Sequence, residues 1–454
     1  MSNSIPGKFT YPFCYTPHPS IVKAAESLCR RIVADPQLEA VFSPGKMLGV
    51  LMVSRPDGSI DYLYGFSGLA GGKSLIDGFV PPIFDTAAVD INSSSHEESI
   101  RLQNWLFDQY VVLNAQGESR NIREIFADRG LVPPGGTGDC AAPKMLQYAY
   151  ANGMKPLAMG EFWYGAAPRG EVRRHGCFYP SCTGKCGPLL SYMLEGLDVE
   201  PNPLDNDNLW SLPDPVVKYE DSCLIVVEKP SGMLSVPGRT SRRCLVDWLQ
   251  EYCNSGNGDA GNDTEDTAVT MIFPVHRLDM DTSGLMVYAK STEVQAELRR
   301  QFENREVQKQ YLAHLCPAEK GIEQELKPGD KGKISLPLML DYYDRPRQKV
   351  DFEEGKPAVT GYEVLRELPD GCLEVRFTPY TGRTHQLRVH AAHSLGLGRP
   401  IIGDRLYGGH SAAANNRAAG ISAAGSRLML HASLLSFRHP VTGSRMHFTS
   451  VLSF

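Results

Sequence analysis

No stretch of the sequence approaches the ~20 uninterrupted apolar residues that a membrane-spanning helix needs, and the polar start MSNSIPGKFTYPF lacks the basic-then-apolar pattern of a secretory leader. A cytoplasmic protein without membrane association is therefore expected. A disulfide framework is missing too. The 11 cysteines are odd in number and eight stand singly (Cys14, Cys29, Cys140, Cys223, Cys244, Cys253, Cys316 and Cys372). That usage fits reduced thiols and no disulfides. Low complexity is absent from the chain as a whole, and no internal repeat is found. With 42% hydrophobic and 22% charged residues, disorder, collagen and coiled coil are excluded as whole-chain descriptions.

What is present is enough chain for more than one domain. The 454 residues exceed any single small module, and each part is large enough to bury its own core. The segment PNPLDNDNLWSLPDP (201–215), with four prolines among Asp and Asn, supports neither helix nor strand. We therefore expect an N-terminal accessory domain over 1–205, a linker over 206–215 and a second domain over 216–454. The net charge of −6 hides a gradient: Val375 to Phe454 holds nine Arg, no Lys and the single acid Asp404, with seven of the twelve His. Arg without Lys favours forked, planar contacts to phosphates or bases. A basic face paired with acids elsewhere is the plainer alternative.

In the second half CLIVVEKP (223–230), GLMVYAK (284–290), KQYLAHL (309–315), TGYEVLREL (360–368) and CLEVRFTPY (372–380) read as strands. LVDWLQEYC (245–253) and the Ser-capped STEVQAELRRQFENREV (291–307) read as helices. The class is α+β with a largely antiparallel sheet. In the first half PSIVKAAESLCRRIVADPQL (19–38) and HEESIRLQNWLFDQYVVLN (96–114) read as helices, and GKMLGVLMV with IDYLYGF as a hairpin. Polar stretches at 254–267 and 410–426 read as loops.

HRLDMDTSGLMVYAK (276–290) sets His276, Arg277, Asp279 and Asp281 in a polar turn before a strand. A loop-borne carboxylate backed by a rigid strand suits catalysis, and equally a salt-bridged structural turn. This motif resembles the signature of the RluA family of RNA pseudouridine synthases. The companions follow in order: KPSGMLSVPGR (229–239) before it, then KQYLAHL, TGRTHQLRVH (381–390), PIIGDRLYG (400–408) and RLMLHASLLSFRHPVTG (427–443). DRPRQKVDFEEGKPAVTGYEVL (344–365) is similar to the RluA subgroup, which modifies 23S rRNA and a tRNA anticodon stem-loop.

The resemblance implies a pseudouridine synthase fold with a mixed, largely antiparallel sheet and a central cleft, behind a separate α/β domain. It implies an isomerase that detaches uracil, turns it and reattaches it through C5, with no cofactor and no metal, on structured RNA and acting as a monomer. Asp279 matches the catalytic aspartate, Arg388 the arginine paired with it, and Tyr311 the tyrosine that stacks on the base. Arg277 matches the arginine inserted where the base is extruded. His276 reads as a loop organiser. Lys229, Arg345, Arg347, Lys349 and Arg383 are candidates for phosphate contacts. An RNA-binding or chaperone protein on the same fold is the rival reading. A glycoside hydrolase would need a second carboxylate beside Asp279.

Residues 1–205 lie outside the resemblance. GDCAAPKMLQYAYANG (138–153) puts Cys140 at a helix start, and HGCFYPSCTGKCGP (175–188) offers His175, Cys177, Cys182 and Cys186. This loosely resembles the zinc deaminases, with Ala142 where those carry a Glu. A structural zinc site, a degenerate deaminase-like fold and free thiols all remain open. The loose cysteine spacing favours free thiols, in a domain that orients RNA or a partner without chemistry.

Overall fold

The computed structural model describes residues 5–84, 96–168, 170–202, 212–237, 244–255, 271–318, 326–342, 344–408, 410–411 and 427–451. Most of the expected linker and of the two expected loops at 254–267 and 410–426 lies outside these residues. The chain divides into two units: Met1–Asn206 with Leu340–Lys349 and Gly409–Ala414, and Asp207–Met339 with Val350–Gly408 and Asn415–Phe454.

In the first unit the expected helix over 19–38 splits in two. Pro36 has no N–H to continue the ladder, so Pro19–Ala34 stops and Asp35 turns extended. The Asp35 carboxylate accepts from Gln37 N at 2.9 Å and Leu38 N at 3.3 Å, capping the next helix, Pro36–Phe42. The expected helix over 96–114 ends at Gln109, and Val111–Leu113 forms a strand against Ser119–Asn121. β-Branched Val111 and Val112 suit a strand better than a helix, and Gly117 takes the positive φ of 83° that the connecting turn requires.

The hairpin Lys46–Ser54 and Ile60–Phe66 forms as expected. Among the described residues the sheet order is 410–411, 177–179, 155–164, 46–54, 60–66. Lys46–Ser54 is covered on both faces, which explains its continuous apolar run. Leu51 and Val53 pack with Ala141, Met145, Leu146 and Ala149 of the helix Ala141–Ala151. Leu48, Val50 and Met52 pack with Ile21, Leu28 and Ile32 of Pro19–Ala34.

The second unit is built on a sheet in the order 331–335, 359–367, 373–379, 308–315, 430–438, 283–289, 224–229, 216–220. Its described neighbours run antiparallel, except that Ser283–Gly284 lie parallel to His431–Ala432. The α+β class with a largely antiparallel sheet is thus observed. Side-chain alternation sends Leu224, Val226, Leu285 and Val287 to a core with Val294 and Leu298 of the helix Thr292–Glu303. Ile225, Val227, Met286 and Tyr288 face the opposite way, to Leu245 and Leu249 of Leu245–Asn254 and to Leu278. The second core reaches Leu278, one residue before Asp279, so the candidate loop is anchored by apolar packing.

Gly284 sits where that loop enters its strand. Its φ is +114°, and a Cβ there would lie 2.4 Å from Ala432 O and 2.6 Å from Ala432 N. Gly284→Ala should therefore lower stability by roughly 2–4 kcal/mol. Urea denaturation measures this, and an unmoved midpoint would show that the two strands separate at no cost.

Candidate active site

The turn carrying Asp279 is held from beneath by the Lys-Pro-Ser-Gly segment. The Lys229 ammonium is fully buried and donates to the carbonyls of Pro230 at 2.9 Å, Met233 at 2.8 Å and Met280 at 2.8 Å. Ser231 Oγ donates to Asp281 O at 2.6 Å, Gly232 N to Met280 O at 2.9 Å, and Ser235 Oγ to Leu278 O at 2.8 Å while accepting from Leu278 N. Residues 278–281 are thus tied to 229–235 by hydrogen bonds along most of their length. Lys229 was expected on the surface to meet phosphate, and burial corrects that expectation: its ammonium is consumed by backbone carbonyls. Desolvation pulls its pKa down to about 7, opposed by the nearby Asp281 and Asp279 charges.

His276 organises the other end of the turn. Its Nε2 accepts from Val287 N at 3.2 Å and its ring stacks on Phe302 at 4.7 Å. Burial, with the Lys309 charge, lowers its pKa to about 3, so it stays neutral and can accept that hydrogen bond.

Asp279 is partly exposed, with 21% of its side chain open to solvent. Arg388 reaches its Oδ2 from Nη1 at 3.6 Å, and His385 Nε2 stands 3.9 Å from the same oxygen. The pairing expected between Arg388 and Asp279 exists, but the fork is spent elsewhere. Arg388 Nε and Nη2 clamp Asp404 at 2.8 Å and 2.7 Å. Asp404 is buried and also accepts from Leu406 N and Tyr407 N. Burial alone would raise the Asp404 pKa; the Arg388 charge and these hydrogen bonds outweigh it, and the net direction is down. Tyr407 completes the group, its hydroxyl 2.9 Å from His385 Nδ1 and its ring beneath the Arg388 guanidinium. Burial, helped by the Arg388 charge, lowers the His385 pKa to about 4.

His385 adopts a left-handed φ of 53° immediately before the helix Gln386–Ala392 that carries Arg388. Gln386 fixes the preceding turn: its Oε1 accepts from Thr381 Oγ1 and Arg383 N, and its amide donates to Val359 O and Thr360 Oγ1. Asp404, His385 and Tyr407 lie inside motifs visible in the sequence, yet nothing in their spacing singled them out.

Tyr311 is half-buried on the strand Gln308–Leu315 and packs against the same core as Leu278 and Ala432. Burial, then the Asp279 charge, drive its pKa upward, so the phenol keeps its proton. Arg277 and Arg383 are exposed, and Arg383 Nε also donates to Pro357 O. Arg277 lies near enough to His385 to disfavour its protonation.

Arg345, Arg347 and Lys349 fall elsewhere, in the segment Leu340–Lys349 that packs with the first unit. Arg347 is 5% exposed, pairs with Asp344 at 2.9 Å and lies over the Tyr179 ring. Asp344 also holds Arg173 at 2.7 Å. Arg347 therefore serves a buried ionic cluster, which corrects its expected phosphate role. Arg345 is exposed over Tyr342, and Lys349 is half-buried.

Residues 223–393, which include Asp279, Tyr311 and Arg388, match the family described as RNA pseudouridylate synthase. The chain is 40% identical over 259 residues to the dual-specificity RNA pseudouridine synthase RluA of Escherichia coli O6:H1, covering 99% of that protein and 55% of this one. It belongs to the RluA-type RNA pseudouridine synthases. The enzyme of the same name from Pasteurella multocida is 41% identical over 239 residues, covering 93% of its own length and 53% of this synthase. The synthase is thus an isomerase of RNA uridines with a further portion that those relatives do not match. Among its described residues no helix is long and apolar enough to cross a membrane.

Two measurements test the site geometry. Lys229→Met should leave three carbonyls without their donor and cost about 1–3 kcal/mol. Turnover should fall while RNA affinity and its salt dependence hold; a weakened Kd with a shallower salt slope would restore the phosphate role. Asp404→Asn should cost about 3–5 kcal/mol at neutral pH, because it strands a buried guanidinium. Since the folded pKa of Asp404 is depressed, its contribution is complete above the unfolded value near ~3.9 and is lost as pH falls through the lower folded value. The gap between wild type and variant in urea midpoint should therefore shrink at acid pH, and a constant gap would contradict the pairing.

Proposed function

We infer that this synthase converts uridines in structured RNA, in a 23S rRNA loop and a tRNA anticodon stem-loop, to pseudouridine, with Asp279 as the catalytic carboxylate. One observation carries the reading: Asp279 is the partly open carboxylate of the site, facing a buried cation at 3.6 Å and close enough to Tyr311 for its charge to act on the phenol. A carboxylate acting at the anomeric carbon, as nucleophile or as the base that starts elimination, must stay ionised when a base closes over it. Arg388 sets a fixed positive charge beside Asp279.

Tyr311, with its phenol protonated, offers a flat surface for the uracil and a group beside C5. Arg277, exposed at the same turn, is placed to occupy the stack that the extruded base leaves, at a cost of a few kcal/mol of unstacking. Arg383 is the remaining exposed arginine of the turn before the Arg388 helix and serves a phosphate. The chemistry needs no cofactor. Catalysis resides in 216–454, and 1–205 with the 206–215 linker orients the RNA. The synthase acts as a cytoplasmic monomer without disulfides. The curated relatives carry dual specificity in their names, which supports two RNA substrates here.

Asp279→Asn should leave folding and stem-loop affinity nearly intact and abolish pseudouridine formation in both an rRNA-loop and an anticodon stem-loop transcript. Pseudouridine mapping after incubation is the readout. Turnover of either RNA above a few percent of wild type would refute the role of Asp279, and modification of one RNA alone by the wild type would refute dual specificity.

A further inference from the structure

The first unit brings Cys140 to Cys182 and Cys186, which the sequence sets about 40 residues further on. The Sγ atoms of Cys140, Cys182 and Cys186 all lie within 4.8 Å of one another. Contacts link Cys140 to both other thiols and Cys182 to Cys186. His175 and Cys177 do not join them. His175 Nδ1 accepts from Gly165 N, and Cys177 packs with Trp163 and Tyr179.

From these positions we propose that Cys140, Cys182 and Cys186 form a three-thiolate zinc site with its fourth coordination position open to solvent. At a zinc–sulphur bond of about 2.3 Å, tetrahedral geometry separates two thiolate sulphurs by roughly 3.8 Å, against about 2.05 Å in a disulfide. All three cysteines are free, with no disulfide among them, and their sulphurs lie within 4.8 Å of one another. Thiolates in a tetrahedral set select zinc among common divalent ions. Loading exchanges three S–H protons for one Zn²⁺, and the protons leave to solvent.

The surroundings are built to present sulphur. Cys140 occupies the cap position of the helix Ala141–Ala151, yet its side chain makes no capping hydrogen bond, which leaves Sγ to the cluster. Asp139, just before it, is held by Tyr110 Oη at 2.8 Å and by Gly68 N on its carbonyl at 2.8 Å. Cys182 Sγ accepts from the backbone N–H groups of Lys185 and Cys186. Such donors steady a thiolate. Behind the ligands, the buried Glu161 carboxylate accepts from Ala142 N at 3.2 Å and from Ser181 Oγ, so one side chain braces the backbone beside Cys140 and beside Cys182. Glu161 comes from the strand Lys155–Tyr164 and reaches the helix start where Ala142 has no carboxylate of its own. It is a positioning residue and not a ligand. Cys186 is buried, whereas Cys140 and Cys182 keep part of their surface exposed, so the cluster opens on the side of those two. No other His, Cys, Asp or Glu among the described residues joins the group, which leaves the fourth position to water. The proximity of the three thiols favours this site over the free thiols expected from the sequence spacing.

The test uses the full chain, purified without chelator and without added metal. Elemental analysis should give about one zinc per chain, falling below ~0.1 in Cys182→Ser and Cys186→Ser and holding in Cys29→Ser. Exchange with Co²⁺ should give a sulphur-to-cobalt charge-transfer band and tetrahedral ligand-field absorption; this keeps the proposal testable if a cysteine variant fails to fold. Wild type that stays below ~0.1 zinc after incubation with ZnCl₂, a stoichiometric metal other than zinc, or Co²⁺ binding without the charge-transfer band would each overturn the assignment. So would zinc retained in both cysteine variants.

Discussion

One buried guanidinium sets the terms of the catalytic unit. Arg388 faces two carboxylates, and its geometry decides between them: the fork goes to Asp404 at 2.7 and 2.8 Å, leaving a single nitrogen for Asp279 at 3.6 Å. Were the fork spent on Asp279, the carboxylate would be immobilised and shielded by hydrogen bonds. Were Asp404 absent, an uncompensated cation would sit in the core. The shared arrangement keeps the inner carboxylate as a strut and leaves the outer one open. His385 and Tyr407 fill the space around the cation without adding charge, which holds the local field steady.

The Lys-Pro-Ser-Gly turn adds the mechanical half of the same design. Its buried ammonium and Ser231 hydroxyl, with the Ser235 hydroxyl just beyond it, hold residues 278–281 chiefly by their carbonyls, so the side chain of Asp279 is aimed by backbone bonds that do not consume it. A site needs its reacting group fixed to within a fraction of an ångström, and bonds to the backbone fix it while leaving the carboxylate free.

Much of this was legible in the sequence, for physical reasons. Strand and helix periodicity located Leu224–Lys229, Ser283–Ala289 and Thr292–Glu303 because these elements have faces to bury. The motif around Asp279 stood out because its residue types are chemically unusual together. What stayed hidden depends on long-range proximity. Lys229 reads as a surface cation until the fold wraps carbonyls around it, and Arg347 reads as a phosphate ligand until Asp344 and Tyr179 enclose it. Asp404, 16 residues from Arg388, carries no local mark of being its partner. The break at Pro36 was written plainly in the sequence, but amphipathic periodicity on both sides masked it.

The strand bearing Tyr311 is bonded along both edges, to Leu373–Pro379 on one side and Leu430–Arg438 on the other. Amides paired on two sides exchange with solvent only through openings close to global unfolding. If Tyr311 meets the base as proposed, the wall it forms is a strand paired on both edges and slow to open. In the proposed reading, the distortion that brings uracil to Asp279 is then taken up by the nucleic acid. On that reading, RNAs whose loops unstack easily are favoured over stiff ones.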